Sequence, residues 1–338
     1  TRRRSAAPAT ARTTSRPIRL FWEQTGLALL VRRVEPDVLF CPHYTMPLAT
    51  SMSSVPVVVT LHDATFFSHP QFHTPIKARF FRTWVRWSGR HADALIADSA
   101  ATRDEVIRHT GAAHVKFTVA PLGVDHERFR PPADTEVVAA REWAGLTAGT
   151  PYIAFLGTLE PRKNVPALVR AFVNVCRERP DPPALVLAGG AGWDTGIDAA
   201  LAEVPDHLVV RRPGFIPDAL VPGLLGGAQV VAYPSFGEGF GLPVLEAMAC
   251  GAAVLTTSLL SLPEVGGDAV EYAASPAGPD LAVALRLLLD DAERRAELGR
   301  LGRARAAGFT WERTARIHAD VLRGAALGSK RMKEGEFR

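Results

Sequence analysis

The sequence predicts an α/β protein made of two parallel-sheet, Rossmann-like domains that face one another across a cleft. Three observations lead there. The chain has 338 residues, too many for one ordinary core and close to two domains of about 150 residues each. Short apolar runs of buried-strand type alternate with stretches of helical period, the pattern of a parallel sheet wrapped by helices. Turn-forming residues cluster around Pro131, Pro132 and residues 147–151 and mark a boundary.

Residues 1–19 carry six arginines, many Ser, Thr and Ala, and no acid. They read as a flexible basic arm or transit-like segment, or else as a loop inside a longer protein. A first domain follows over residues 20–132. Strands are expected at 38–41 and 55–61, a helix at 75–90, and further strands at 94–97 and 116–120. The second domain, residues 133–310, has strand patterns at 152–156, 184–188, 208–211, 229–232 and 253–257. Helical periods cover 165–178, 241–250 and 280–307. A last helical period over 311–322 gives a closing helix, assigned to 311–325, and a tail at 326–338. Two such sheets place ligands at the carboxyl ends of their strands, in the cleft.

Composition narrows the class. With 47% hydrophobic and 22% charged residues, the chain as a whole is globular rather than disordered. No uninterrupted apolar run of about 18 residues occurs, so no membrane-spanning helix is expected. The three cysteines, Cys41, Cys176 and Cys250, stand singly, which argues against a disulfide framework or a zinc site and fits a reducing, cytoplasmic setting. Residues 1–150 hold 19 Lys and Arg against 13 Asp and Glu, while the remainder holds 20 against 22. The basic excess of the first half suits an anionic contact such as lipid phosphate or a membrane surface.

Four stretches carry candidate chemistry. From Tyr233 to Gly251 a strand runs into a glycine-rich turn that opens a helix, with Glu238 before the helix and Glu246 inside it. Glycines let backbone approach a ligand, and a helix start offers free N–H groups to phosphate; a helix cap with an incidental second glutamate is the other reading. Gly157-Thr158-Leu159-Glu160-Pro161-Arg162-Lys163-Asn164 also ends a strand and opens a helix. Its adjacent cations suit a diphosphate that gains charge as a bond breaks, or form a solvated basic turn. His62 and Asp63 end another strand, as a site pair or with the aspartate fixing the imidazole or capping the next turn. Finally Arg79, Arg82, Arg86 and Arg90 fall on one stripe of a helix beside Phe80, Phe81, Trp84 and Trp87, either an amphipathic surface helix or a lipid-phosphate contact.

The Glu238 to Glu246 segment resembles the Glu-x7-Glu signature of retaining glycosyltransferases, specifically family 4 with the GT-B fold. The 157–164 stretch, the His62-Asp63 strand end, Ser99 with Arg103, and Pro121-Leu122-Gly123-Val124-Asp125 continue that resemblance over about residues 22–321. It implies that Glu238 contacts donor-sugar hydroxyls and Glu246 the nucleotide ribose. Backbone at Gly157, Phe240, Gly241 and Leu242, with Arg162 and Lys163, would hold sugar and phosphate, and His62 would face the transferred sugar or the acceptor. Many members have a basic residue where this chain has Thr158, which leaves the phosphate contacts to Arg162 and Lys163. Ser99 reads as a helix N-cap.

Members of the family open with a strand and a glycine-rich turn that nothing before Leu20 matches, so the N-terminal domain is expected to lack its first strand. The implied activity moves a hexose, with mannose from GDP-mannose as the first donor, to a glycan or lipid-linked hydroxyl with retention of configuration. No Asp-x-Asp occurs, so neither a bridging metal nor another cofactor is expected. The implied place is the cytoplasm, at the inner face of the membrane. Three rivals remain: an inactive nucleotide-sugar binding protein, a nucleic-acid binder acting through the arm, and an NAD(P) oxidoreductase. The last lacks Gly-x-Gly-x-x-Gly after an early strand, and no nucleic-acid partner is expected.

Overall fold

The computed structural model describes residues 21–335; the arm expected over 1–19 and the end of the tail lie outside the described residues. The first domain runs α1 (Gly26–Val34), β1 (Leu39–Cys41), β2 (Val57–Leu61), α2 (Thr65–Ser68), α3 (Pro75–His91), β3 (Ala94–Ala97), α4 (Ala100–Thr110) and β4 (Phe117–Val119). Its strands form a parallel sheet in the order β1-β2-β3-β4. Every residue of β2, Val-Val-Val-Thr-Leu, is buried, as in a strand covered on both faces. Local signals set the helix ends. Thr74 caps α3 and Pro75 opens it, while Ser99 caps α4 and Gly111, at φ 70°, closes it.

The second domain runs α5 (Asp134–Trp143), β5 (Tyr152–Leu156), α6 (Val165–Cys176), β6 (Ala184–Ala188), α7 (Gly196–Ala202), β7 (Val210–Gly214), α8 (Val221–Gly226), β8 (Val230–Tyr233), α9 (Leu242–Ala249), β9 (Val254–Thr257), α10 (Leu262–Gly266), β10 (Glu271–Ala273), α11 (Gly278–Asp290) and α12 (Ala292–Ala306). The parallel sheet has the order β10-β9-β8-β5-β6-β7. Strands leave β5 first toward β6 and β7 and then return to β8 on its other side, so the order reverses between β5 and β8. Such a reversal opens a crevice at the strands' carboxyl ends.

Two elements differ from the sequence pattern. The single helix expected over 280–307 is two, because Asp291 leaves helical conformation (φ −117°, ψ 95°) and its carboxylate accepts from Arg294 N at 2.8 Å. A side chain that can cap outweighs an unbroken apolar period. The strand expected at 208–211 lies at Val210–Gly214, beside a register shift opposite Val186 and Ala188.

The closing helix α13 (Trp311–Gly335) extends beyond the periodic stretch and returns to the first domain. Ile317, Val321, Leu322 and Ala325 cover the face of the first sheet made by Val58, Ile96 and Ala120. The other face packs Val57, Val59, Leu61 and Leu95 against Val85 of α3. The chain therefore crosses between domains twice, at residues near 123 and 310, and the crossings touch. Val124 N donates to Phe309 O at 3.2 Å, and Thr314 Oγ1 donates to Pro121 O at 2.6 Å.

A Cβ on Gly123 would stand 2.2 Å from Trp311 N and 2.4 Å from Thr310 C, both backbone. Gly123→Ala should therefore part the two crossings and destabilise by about 1–3 kcal/mol or more. Thermal unfolding checks this, and an unchanged midpoint would show that the crossings are not tightly packed.

Candidate active site

The reversal point brings the two glycine-containing motifs together. β5 ends at Leu156 and leads into Gly157; β8 ends at Tyr233 and leads into Glu238. Phe236 N donates to Arg162 O at 2.9 Å, and Asn164 Nδ2 donates to Pro234 O at 3.3 Å and Pro276 O at 2.7 Å. Asn164 holds a left-handed conformation, φ 58° and ψ 35°, between a short 3-10 turn (Pro161–Lys163) and α6. Asparagine tolerates that region better than most side chains.

Glu238 is 8% exposed and completely partnered. One carboxylate oxygen lies 2.5 Å from Arg162 Nη1. The other lies 2.8 Å from Lys163 Nζ and accepts from Ser235 Oγ at 2.7 Å. Burial would raise its pKa, but Lys163 and Arg162 override burial and hold it at about 2. Lys163 shifts downward, chiefly through its own burial and against the pull of Glu238, and it also donates to the Tyr233 hydroxyl. Arg162 further donates to Gly237 O at 2.7 Å and pairs with Glu160 at 2.6 Å. The two cations expected to face a diphosphate are thus already shared between two carboxylates, and an incoming phosphate meets a cluster of no net formal charge.

Glu246 is the opposite case. It lies on α9, half-buried, with no hydrogen-bond or ion-pair partner among the described residues. Burial pushes its pKa up to about 7, with Arg128 lowering it and Asp218 raising it by smaller amounts. Arg128 itself bonds to Asp218. A carboxylate left without donors in this way is ready for hydroxyl donors from a ligand. The turn before α9 supplies the remaining expected groups: Gly241 is its N-cap at φ 108°, Leu242 its first residue, and Phe240 is buried. Gly157 lies across the crevice, where its N–H donates to Ala188 O at 3.0 Å.

His62 follows β2 and points its Nδ1 at Asp98 Oδ2, 2.8 Å away, and its Nε2 at Pro42 O, 2.8 Å away. Both ring nitrogens meet acceptors, and the Asp98 hydrogen bond raises the imidazole pKa against the effect of burial. Asp63 does not fix this ring. It accepts from Tyr44 Oη at 2.7 Å and, in a turn just before α2, from Thr65 N at 2.9 Å. The first domain reaches the Glu238–Leu242 loop directly, since a Cβ on Gly239 would fall 1.7 Å from His62 O.

The fold thus joins Arg162 and Lys163 to Glu238 and brings His62 against the Gly239 turn that leads through Phe240 and Gly241 to Leu242, with Gly157 following the neighbouring strand; Glu246 lies further along α9, toward Arg128 and Asp218. Several participants were not singled out by the sequence: Asp98, Ser261 and Glu264 outside the glycine-rich stretch, and Tyr233 and Ser235 within it. Asp98 had a usable signal, because Leu61 pairs with Ala97 and the residues after both strands must then be neighbours. The arginine stripe is only partly as expected. Arg79, Arg86 and Arg90 are exposed, but Arg82 turns inward and donates from Nε to Phe66 O at 2.6 Å.

Two facing Rossmann-like domains with this cleft define the GT-B architecture. Comparison with known proteins agrees and goes further. Residues 3–128 match the family model described as Glycosyltransferase Family 4, and residues 140–305 match that of Glycosyl transferases group 1. O-antigen chain mannosyltransferase B of Escherichia coli is 34% identical over 262 residues, 75% of this chain and 67% of that protein. A D-inositol 3-phosphate glycosyltransferase of Pseudarthrobacter chlorophenolicus is 32% identical over 87% of this chain and 73% of its own length. Other relatives with that activity are matched over about half to three-fifths of theirs, 51% and 58% in two cases. HepE of Anabaena, solved with UDP and glucose, superposes with a TM-score of 0.70 at 20% identity, over 90% of this chain and 83% of that one. WaaG, a glycosyltransferase involved in lipopolysaccharide biosynthesis, gives 0.69 at 16% identity, over 93% and 85%. The chain belongs to the family 4, group 1 glycosyltransferases.

Glu246 makes a pH-dependent contribution to stability. Its carboxyl rises from 4.5 to about 7 on folding, so the fold disfavours the charged form. That cost is small below pH 4.5, builds as pH rises from about 4.5 to about 7, and is fully present above that. Glu246→Gln should therefore be more stable than the unaltered protein at pH 8, by on the order of 1–3 kcal/mol, and should lose most of that advantage at pH 4.5. Thermal unfolding at the two pH values measures it; an equal gain at both would contradict the assignment.

Proposed function

We propose that the protein transfers a hexose from a nucleoside-diphosphate sugar to a hydroxyl of a glycan or lipid-linked acceptor, with retention of configuration and without a divalent metal. The observation that carries this reading is the pairing of two unlike carboxylates on one loop-helix unit. Glu238 is locked and ionised between Arg162 and Lys163, and Glu246 lies eight residues on without a partner. Glu246 takes the ribose hydroxyls. Glu238 meets sugar hydroxyls and stabilises positive charge as the bond breaks. In the transfer step the bond from the sugar's anomeric carbon to the diphosphate oxygen breaks and the acceptor oxygen bonds that carbon from the same face. The acceptor proton passes to the departing phosphate oxygen, so no protein nucleophile is consumed.

In this scheme Arg162 and Lys163 take the place of a metal by giving up part of their pairing with Glu160 and Glu238 to the departing diphosphate. GDP-mannose is the first donor to test, supported by the likeness to the O-antigen mannosyltransferase. UDP-glucose is the second, supported by the likeness in fold to HepE, which was also solved with UDP-glucose. Among the described residues no helix is long and apolar enough to cross a membrane. We place the protein in the cytoplasm at the membrane's inner face, where exposed Arg79, Arg86 and Arg90 beside Ile76, which is 85% exposed, offer cations and an apolar side chain to anionic lipid.

Two experiments test this reading. Assayed in EDTA, Glu246→Gln should weaken free nucleoside diphosphate and nucleotide sugar alike, by roughly 10- to 150-fold, because charge-assisted bonds to the ribose are lost. Glu238→Gln should spare free nucleotide and lower turnover by on the order of a hundredfold. Calorimetry beside turnover decides, and reversed phenotypes would exchange the two roles. Separately, replacing Arg79, Arg86 and Arg90 together by glutamine should weaken binding to anionic vesicles and leave nucleotide affinity alone. Unchanged sedimentation with vesicles would reduce the helix to an ordinary surface element.

A further inference from the structure

The donor loop around Glu238 is held by both domains at once. On its own side, Ser261 Oγ lies 2.8 Å from the carbonyl oxygens of both Glu238 and Phe240, and Ser261 is fully buried. The carbonyl between them, Gly239 O, accepts from the other domain: from Ser99 Oγ at 2.6 Å and Thr102 Oγ1 at 3.0 Å. Three residues beyond Ser261, Glu264 reaches across the cleft. Its two carboxylate oxygens accept from Ala100 N at 2.8 Å and Ala101 N at 2.7 Å, the first two N–H groups of α4. Those groups have no partner within the helix, and a carboxylate there also meets the positive end of the helix dipole. Glu264 is braced in turn, since Arg305 donates to Glu264 O at 2.8 Å and Val265 O at 2.6 Å.

We infer that Glu264, with Ser99 and Thr102, is a clasp of positioning residues that closes the two domains on each other and thereby sets the Glu238 loop in its working geometry. The physical basis is the alternation of carbonyls. Opening the cleft leaves Glu238 O and Phe240 O bonded to Ser261 but strips Gly239 O of both partners, and it exposes the α4 amides and the Glu264 carboxylate. Closure and loop geometry are then one event. Opening also withdraws His62, whose backbone oxygen packs against Gly239. No clasp residue touches the nucleotide in this scheme, so the clasp acts on turnover and not on nucleotide affinity.

The inference rests on the transfer reading for its kinetic arm and is independent of it for the rest. Two variants break the clasp from opposite domains without harming either. Glu264→Gln is isosteric and turns a side-chain amide NH2, a donor, toward one α4 N–H. Ala100→Pro deletes one of the amides at the first helical position, where proline is well tolerated. Each should lower turnover at saturating donor about tenfold or more, equivalent to about 1.4 kcal/mol, and leave the dissociation constants of free GDP and UDP within twofold. Each should also increase the radius of gyration measured by small-angle scattering. Because both break the same contact, the double variant should be little worse than the worse single one. Additive losses, weakened nucleotide binding, or an unchanged radius in both variants would overturn the clasp. If the unaltered protein turns over no nucleotide sugar, the transfer reading fails, and the change in radius alone decides the clasp.

Discussion

A carboxylate sealed between two cations is the constraint on which the rest of this site depends. Glu238 is almost wholly buried, and an ionised carboxyl in that position is tolerable only if its lone pairs are matched by charge and hydrogen bonds. Arg162, Lys163 and Ser235 provide the match. They can do so only because β5 and β8 are neighbours although their last positions, Leu156 and Tyr233, are 77 apart in the chain. The reversed strand order, the left-handed Asn164 and the glycine turn before α9 follow as the conditions under which those residues meet.

The same unit leaves Glu246 without donors, and the contrast is what makes the pair informative. Glu238 contributes to the fold above the ordinary carboxyl pKa, whereas Glu246 works increasingly against it as pH rises from about 4.5 to about 7. Groups that stabilise and groups that destabilise lie eight residues apart on one segment. An unsatisfied half-buried carboxylate is a candidate for hydrogen bonds completed by a ligand rather than by the protein. His62 shows a third arrangement, in which both ring nitrogens face acceptors and its charged form is favoured by Asp98.

The interface between domains gives these groups their common space. The last helix returns across the crossings to bury one face of the first sheet. The first domain is therefore not an independent module, since its core is completed by residues 317–325. Hydrogen bonds across the cleft at Gly239 and at the start of α4 then bring the first domain's strand ends to the Glu238–Leu242 loop.

Much of this was legible from the chain alone. Runs such as Val57–Leu61 and Tyr152–Leu156 announce buried parallel strands, and the helix over Pro75–His91 carries its own cap and opening proline. The sequence likewise marked Glu238, Glu246, Arg162, Lys163 and His62, because glycine turns and adjacent charges at strand ends are local patterns. It misjudged what is decided by competition, such as the break at Asp291, where a capping side chain prevails over apolar period. Only the tertiary structure decided who partners whom. That Asp98 and not Asp63 holds His62, that Glu238 engages both cations, that Arg82 turns inward, and that Glu264 reaches the other domain all depend on strand order and on the angle between domains. Those are set by burial summed over the whole chain, and no segment carries them in its own residues.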